Sequence, residues 1–183
     1  MILPSEAVRT FRDSFEKEVP IVSAFTATAG KVFTREMLSQ QAEIWRAQGM
    51  VVVMTNGCFD LLHAGHILTL ETARSFGNAL IVAVNSDRSV RELKGPDRPL
   101  NNEEDRARVI AALACVSAAT IFDEPTAISL IETLRPDVYV KGGDYNYENL
   151  PEREAVESYG GQIIYCPLLP GRSTSSLIAA CRE

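Results

Sequence analysis

Histidine is nearly missing from this chain. It has two in 183 residues, His63 and His66, and they stand three positions apart. Aromatic residues are sparse at 7%, with a single tryptophan. The four cysteines, Cys58, Cys115, Cys166 and Cys181, form no CxxC pair, so the spacing of a zinc ribbon or a thioredoxin-type site is excluded. In a chain with enough apolar residues to fold without staples, they read as reduced thiols of a cytoplasmic protein. No apolar run approaches the roughly 20 residues of a membrane span. The opening MILPSEAVRTFRDSFEKEV lacks the basic start and apolar block of a signal peptide. Basic residues are the minority charge: Lys+Arg 18 against Asp+Glu 24 leaves a net charge of -6, which excludes a broad basic surface for nucleic acid. A phosphate pocket needs only a few cations and is not excluded. What is present is a 46% hydrophobic, 23% charged composition, that of a water-soluble domain of ordinary size with a proper core.

Residues 1–30 show little periodicity beyond Phe11, Phe15 and Val19, which share a helical face. They read as an N-terminal extension without chemistry, ahead of one domain over 31–183. From there strand and helix patterns alternate. A helix over 34–48 is capped by Thr34, carries Leu38, Ile44 and Trp45 as its apolar face, and stops at Gly49. Continuous apolar runs predict buried strands over 51–55 and 80–84, with a helix over 64–76 between them. Further helices are expected over 103–114, 126–134, 151–159 and 173–181, and strands over 118–122, 138–140 and 162–166. Such alternation with short connections demands right-handed crossovers. The expected fold is therefore α/β: a single doubly wound, Rossmann-like domain with a five-stranded parallel sheet. In that architecture ligands lie beyond the carboxyl ends of the strands. Polar and glycine-rich segments fall there: Asn56-Gly57, Asn85-Ser86-Asp87, Lys141-Gly142-Gly143-Asp144 and 171–176.

The segment TNGCFDLLHAGH (55–66) joins the first strand to a helix that starts at the two histidines. Backbone N–H groups at a helix start lack internal partners and attract anions. Imidazoles at i and i+3 add donors on the same face, and Gly65 between them leaves room for a bulky anion. This suits a polyphosphate whose charge grows in the transition state. As a metal half-site the pair lacks a third ligand by spacing, and no metal-ligating set is assigned. Gly171-Arg172-Ser173-Thr174-Ser175-Ser176 supplies three successive hydroxyls and more at the last helix, beyond what one N-cap requires. Asp60 reads as a turn former that orients the histidine loop, not as a base.

TNGCFDLLHAGH, together with GRSTSSLI, resembles the cytidylyltransferase-like nucleotidyltransferases and their HxGH and STT-type signatures. VAVNSD, LKG (93–95), Arg98-Pro99, Asn101, Arg106 and VKGGDY narrow the resemblance to the adenylyltransferases of ADP-heptose synthesis, of the type without a fused sugar kinase. The resemblance runs from about residue 31 onward. It implies attack of a sugar 1-phosphate, D-glycero-β-D-manno-heptose 1-phosphate, on the α-phosphorus of ATP, with pyrophosphate expelled and Mg2+ as cofactor. His63 and His66 are then catalytic, with Lys94 and Arg106 neutralising phosphate. Asn56, Gly57, Cys58, Phe59, Gly65, Gly142, Gly143, Asp144, Ser173, Thr174 and Ser175 hold the nucleotide. Asp87, Arg98 and Lys141 meet the acceptor, with Arg172 a further phosphate cation. ATP and a sugar phosphate are the implied partners, and homo-oligomers are a family-level expectation. A cytidylyltransferase acting on glycerol 3-phosphate, or a nucleotide-binding module without turnover, are the rival readings. A dinucleotide oxidoreductase is excluded, because no GxGxxG follows the first strand.

Overall fold

A computed structural model describes residues 28–143, 147–167, 169 and 171–180. The face proposed for Phe11, Phe15 and Val19, together with Asp144 and Cys181, lies outside the described residues. In chain order the elements are α1 (Arg35–Ala47), β1 (Val52–Gly57), α2 (Ala64–Ser75), β2 (Ala79–Asn85), α3 (Asp87–Lys94), α4 (Glu103–Ala111), β3 (Ala118–Phe122), α5 (Ile128–Leu134), β4 (Val138–Gly142), α6 (Arg153–Glu157), β5 (Gln162–Cys166) and α7 (Thr174–Ala180).

The five strands form one parallel sheet in the order β3-β2-β1-β4-β5. Every residue of β2 is buried, as continuous apolar strands between two helix layers must be. Side chains alternate across the pleat. Val52, Met54 and Tyr139 enter one core with Leu38, Ala42, Ile131 and Val156, beneath α1, α5 and α6. Val53, Val82 and Val140 enter the other with Leu70, Ala73, Ala107 and Ile110, beneath α2 and α4. The doubly wound α/β fold expected from the alternation is the fold observed.

Three details differ from the pattern reading. Leu38 is buried and Trp45 packs on the core as expected, but Ile44 is 50% exposed and Ala42 is buried in its place. With 3.6 residues per turn, Ile44 stands roughly 160° around the helix from Ala42, on the side away from the sheet. Asp87–Lys94 forms a helix that the pattern reading did not include: Ser86 accepts from the Ser89 N–H at 3.1 Å as N-cap, and Gly95 ends the helix with φ 99°. Asn56, Gly57, Asn85, Lys141 and Gly142 are strand residues, because ladder pairing continues past the apolar runs, with Gly57 opposite Val84 and Gly142 opposite Cys166.

Strand order reverses between β1 and β4. From β1 the chain moves outward through α2 to β2, and from β4 it moves the other way through α6 to β5. Since α2 and α6 lie on opposite faces, their starts flank a crevice at the carboxyl ends of β1 and β4.

Candidate active site

One wall of that crevice is the start of α2. His63 is its N-cap residue, with extended φ and ψ, and its side chain makes no capping hydrogen bond. The imidazole is therefore left for another partner. His66, one turn on, stacks on it with ring centroids 3.8 Å apart and 20° between planes. Phe59 meets His66 edge-on at 5.4 Å. Nδ1 of both histidines is buried without a hydrogen-bond partner among the described residues. Buried polar atoms are normally satisfied, so a pair of orphans at a helix start is a site that expects a ligand.

The loop geometry follows from small residues. Phe59 sits at φ 46°, a left-handed conformation strained for a non-glycine residue. Its ring folds back over Gly57, where an added Cβ would lie 3.1 Å from the ring. Gly65 is equally close to the site: a Cβ there would lie 3.0 Å from the His63 ring and 3.6 Å from Arg172 Cβ. Thr174 Oγ1 donates to the Leu61 carbonyl at 3.1 Å. The HxGH segment and the hydroxyl-rich start of α7 are thus in direct contact.

Burial lowers the pKa of both imidazoles. The His66 pKa falls to about 4, first by desolvation and then by repulsion from His63. That of His63 is lowered by desolvation, with the Arg172 charge adding to it. The sign for stability follows. The unfolded chain binds a proton on His66 from about pH 6.5 downward, and the folded chain only near pH 4. Stability is fully present above 6.5 and lost as pH falls through this window. Replacing His66 by glutamine is expected to flatten the decline of melting temperature between pH 6.5 and 4. An unchanged slope counts against the buried neutral imidazole.

Gly65 supplies a second test. Helix positions prefer alanine over glycine by about 1 kcal/mol, so Gly65→Ala should hold or raise the melting temperature. The new methyl pushes on the His63 ring, and activity is expected to fall about tenfold or more through misplacement of that ring. Loss of stability with full activity would be the opposite result.

Around this wall Lys94, Arg106 and Arg98 all draw the Cys58 thiol toward ionisation, yet burial outweighs them and pushes its pKa up. Cys58 thus sits amid converging positive charge, with desolvation the larger influence on its thiol. Cys58, Cys115 and Cys166 are free. Lys94 ends α3 and is exposed.

Arg106 is placed otherwise than the sequence suggested. It is 2% exposed and donates to the Asn101 carbonyl at 2.9 Å, the Cys58 carbonyl at 2.6 Å and Asp87 Oδ1 at 2.7 Å. Buried and engaged, it braces the site from behind and does not present itself to an acceptor phosphate. Asp87, at the start of α3, is its ion-pair partner. Arg98 also turns inward, pairing with the buried Asp60. That carboxylate further accepts from the N–H groups of Leu100 at 2.7 Å and Asn101 at 3.2 Å, so Asp60 is the structural anchor expected of it. Ser173 caps α7, accepting from Ser176 N–H at 3.1 Å, while Ser175 is exposed.

The opposite wall is polar and buried. Lys141 is 7% exposed and its Nζ lies 3.4 Å from Glu152 Oε1, 3.3 Å from Tyr139 Oη and 3.1 Å from Asn56 Oδ1. Desolvation lowers its pKa, opposed by Glu152. Lys141 is thus an internal cation rather than an exposed acceptor ligand. Tyr139 and Glu152, which pattern reading did not single out, are the buried partners of Lys141 and Asn56 here. In the sequence Tyr139 reads as one more position of the strand over 138–140, and nothing local marks Glu152. Gly142 packs on Thr69, where a Cβ would come within 3.1 Å, and Gly143 has φ 112°. Among the described residues no group of three His, Cys, Asp or Glu is arranged to hold a metal, and no helix is long and apolar enough to cross a membrane.

A doubly wound sheet whose switch point is flanked by paired imidazoles and by a buried lysine network defines a nucleotidyltransferase. Residues 54–174 match the Cytidylyltransferase-like family model, and the chain belongs to that family. It is 52% identical over 162 residues to the bifunctional protein HldE of Koribacter versatilis, covering 88% of this chain and 32% of that protein. Against HldE of Syntrophotalea carbinolica it is 50% identical over 148 residues, 81% of this chain and 30% of the other. The chain thus spans about a third of the length of the curated relatives it matches. Among solved structures it is similar to the lipopolysaccharide core biosynthesis protein of Thermoplasma volcanium, with TM-score 0.55 and 27% identity, covering 66% of this chain and 98% of that one. Pantoate-beta-alanine ligase of Francisella tularensis shares the fold, with TM-score 0.52 and 13% identity over 82% of this chain and 76% of that one.

Proposed function

We propose that the chain transfers AMP from ATP to D-glycero-β-D-manno-heptose 1-phosphate, giving ADP-heptose and pyrophosphate. The observation that carries the transferase reading is the stacked, unpartnered imidazole pair in contact with the α7 segment. The sugar rests on similarity to HldE and to the lipopolysaccharide core biosynthesis protein, over the third of HldE that this chain spans.

An acceptor phosphate oxygen attacks the α-phosphorus as the bond to the bridging oxygen breaks, and the electron pair leaves with pyrophosphate. Because the nucleophile is already an anion, no base is needed. The protein supplies in-line positioning and neutralisation of growing charge. His63 and His66 stabilise the leaving pyrophosphate from one side, and the N–H groups of α2 add partial positive charge there. Thr174, Ser175 and Arg172 hold the distal phosphates from the other side. Lys94 faces the acceptor phosphate. Mg2+ bound with ATP would supply charge neutralisation at the triphosphate, beside the imidazoles of His63 and His66 and the hydroxyls of Thr174 and Ser175. Gly142 and Gly143 border the base and ribose.

The deciding experiment offers ATP and CTP separately, each with heptose 1-phosphate and with glycerol 3-phosphate, and follows pyrophosphate. Release with ATP and heptose 1-phosphate alone is the expected outcome. Release with CTP and glycerol 3-phosphate overturns the assignment of base and acceptor while leaving the transferase class intact. No release with any pair overturns turnover itself.

A further inference from the structure

Phosphate handling leaves the buried wall at Asn56, Tyr139, Lys141 and Glu152 without a purpose. Asn56 and Lys141 are the penultimate residues of paired strands, and Glu152 stands at the start of α6. The Lys141 Nζ sits 3.4 and 3.5 Å from the two Glu152 oxygens and 3.1 Å from Asn56 Oδ1. Tyr139 Oη donates to the same Oδ1 at 2.6 Å. Glu152 Oε1 also accepts from the Ala127 N–H at 3.3 Å, which ties the carboxylate to the segment entering α5.

An ammonium has three donors and no acceptor, so only the oxygen of the Asn56 amide can face it. The NH2 group must then point to the other edge of the amide. Two donors converging on one oxygen fix this choice more firmly than either alone. Burying such an ion pair is a poor route to stability, since apolar replacements of similar shape commonly do as well or better. A set amide orientation is something an apolar pair cannot provide.

We propose that Glu152, Lys141 and Tyr139 are positioning residues that lock the Asn56 amide with its NH2 presented to the nucleotide at the switch point. The identity of the ligand rests on the transferase reading above; the amide orientation is a property of the free protein. Asn56 is then a nucleotide-binding donor on the wall opposite the imidazoles, and Glu152 acts through Lys141 without touching the nucleotide.

The test is equilibrium binding of MgATP, without acceptor, to the intact chain and to Asn56→Ala, Glu152→Gln, Tyr139→Phe and the two double variants with Asn56→Ala. Losing one aligned donor is expected to weaken binding by about tenfold in Asn56→Ala and Glu152→Gln, and less in Tyr139→Phe. Each double variant should bind no more weakly than Asn56→Ala alone, because the positioning residues have nothing left to position. KM for ATP should rise while kcat changes little. In the ligand-free protein, the side-chain amide resonances of Asn56 should shift or broaden in Glu152→Gln. Additive losses in the doubles, wild-type binding by Asn56→Ala, or an amide signal indifferent to Glu152 each overturn the proposal. Tyr139→Phe removes one hydroxyl only and keeps the question open to measurement if Glu152→Gln unfolds. If the wild type binds MgCTP and not MgATP, the base assignment fails, and the same series read with MgCTP still decides the role of the wall.

Discussion

Replacing His66 with alanine is expected to lower turnover by about a hundredfold or more while the fold persists, the range for losing one donor to transition-state charge. The expectation rests on geometry. His66 is stacked on His63, edged by Phe59, and leaves a buried nitrogen without a partner. Such a ring holds its place before substrate arrives, so little reorganisation opposes its action on the departing pyrophosphate. Neutrality sharpens the point. With a pKa near 4 in the free protein, His66 carries no charge at neutral pH and acts as a hydrogen-bond donor rather than as a fixed cation. Pyrophosphate release in His66→Ala, measured beside circular dichroism, checks the expectation. Unchanged release with an intact spectrum rules out the role given to this residue. The double variant of His63 and His66 should lose less than the product of the two single losses, since rings that act as one unit are not additive.

The second large effect falls on stability. Asp60 is 3% exposed and accepts from Arg98, Leu100 and Asn101, while its own carbonyl accepts from the Asn101 side chain at 3.0 Å. Asp60→Ala removes one member of a largely buried ion pair and strands two backbone N–H groups. Breaking such a pair costs about 3–5 kcal/mol. In a chain of this size that corresponds to a melting temperature lower by on the order of 10 °C. Asp60→Asn keeps an acceptor and most of the shape, so its loss should be smaller and its turnover largely retained. A catalytic base would behave the other way, losing turnover in Asp60→Asn with little change in melting. Thermal denaturation of both variants beside their kcat separates the two.

Arg106 and Asp60 together explain how a strained loop is kept in place. Phe59 has a left-handed backbone, and Cys58 and Asp60 on either side of it are held by Arg106 and by the 98–101 segment. The rigidity of the imidazole wall therefore derives from residues far along the chain. Lys94, by contrast, is exposed at the end of α3.

Much of this was legible from local pattern. Apolar runs of strand length, helix starts at Thr34 and the acids of 103–105, and stops at Gly49 and Gly77 located most elements, because those signals act within one turn or one strand. Helix α3 was overlooked, although Ser86 and Gly95 bracket it with ordinary cap chemistry. Its apolar face is only Val90 and Leu93 in eight residues, too short for a helical period to stand out.

The chain's own order of residues determined the parallel sheet, the place of the imidazole pair at a helix start and the hydroxyl cluster near its end. These depend on neighbours a few positions apart, and local sterics and hydrogen bonding specify them. Only the tertiary structure decided which charges face the crevice. Arg106, Arg98 and Lys141 look like surface cations in isolation, yet each is turned inward by a partner 19, 38 or 11 positions away: Asp87, Asp60 and Glu152. A charged side chain goes where its counter-charge and burial take it, and that is settled by packing between distant segments, which no local pattern encodes.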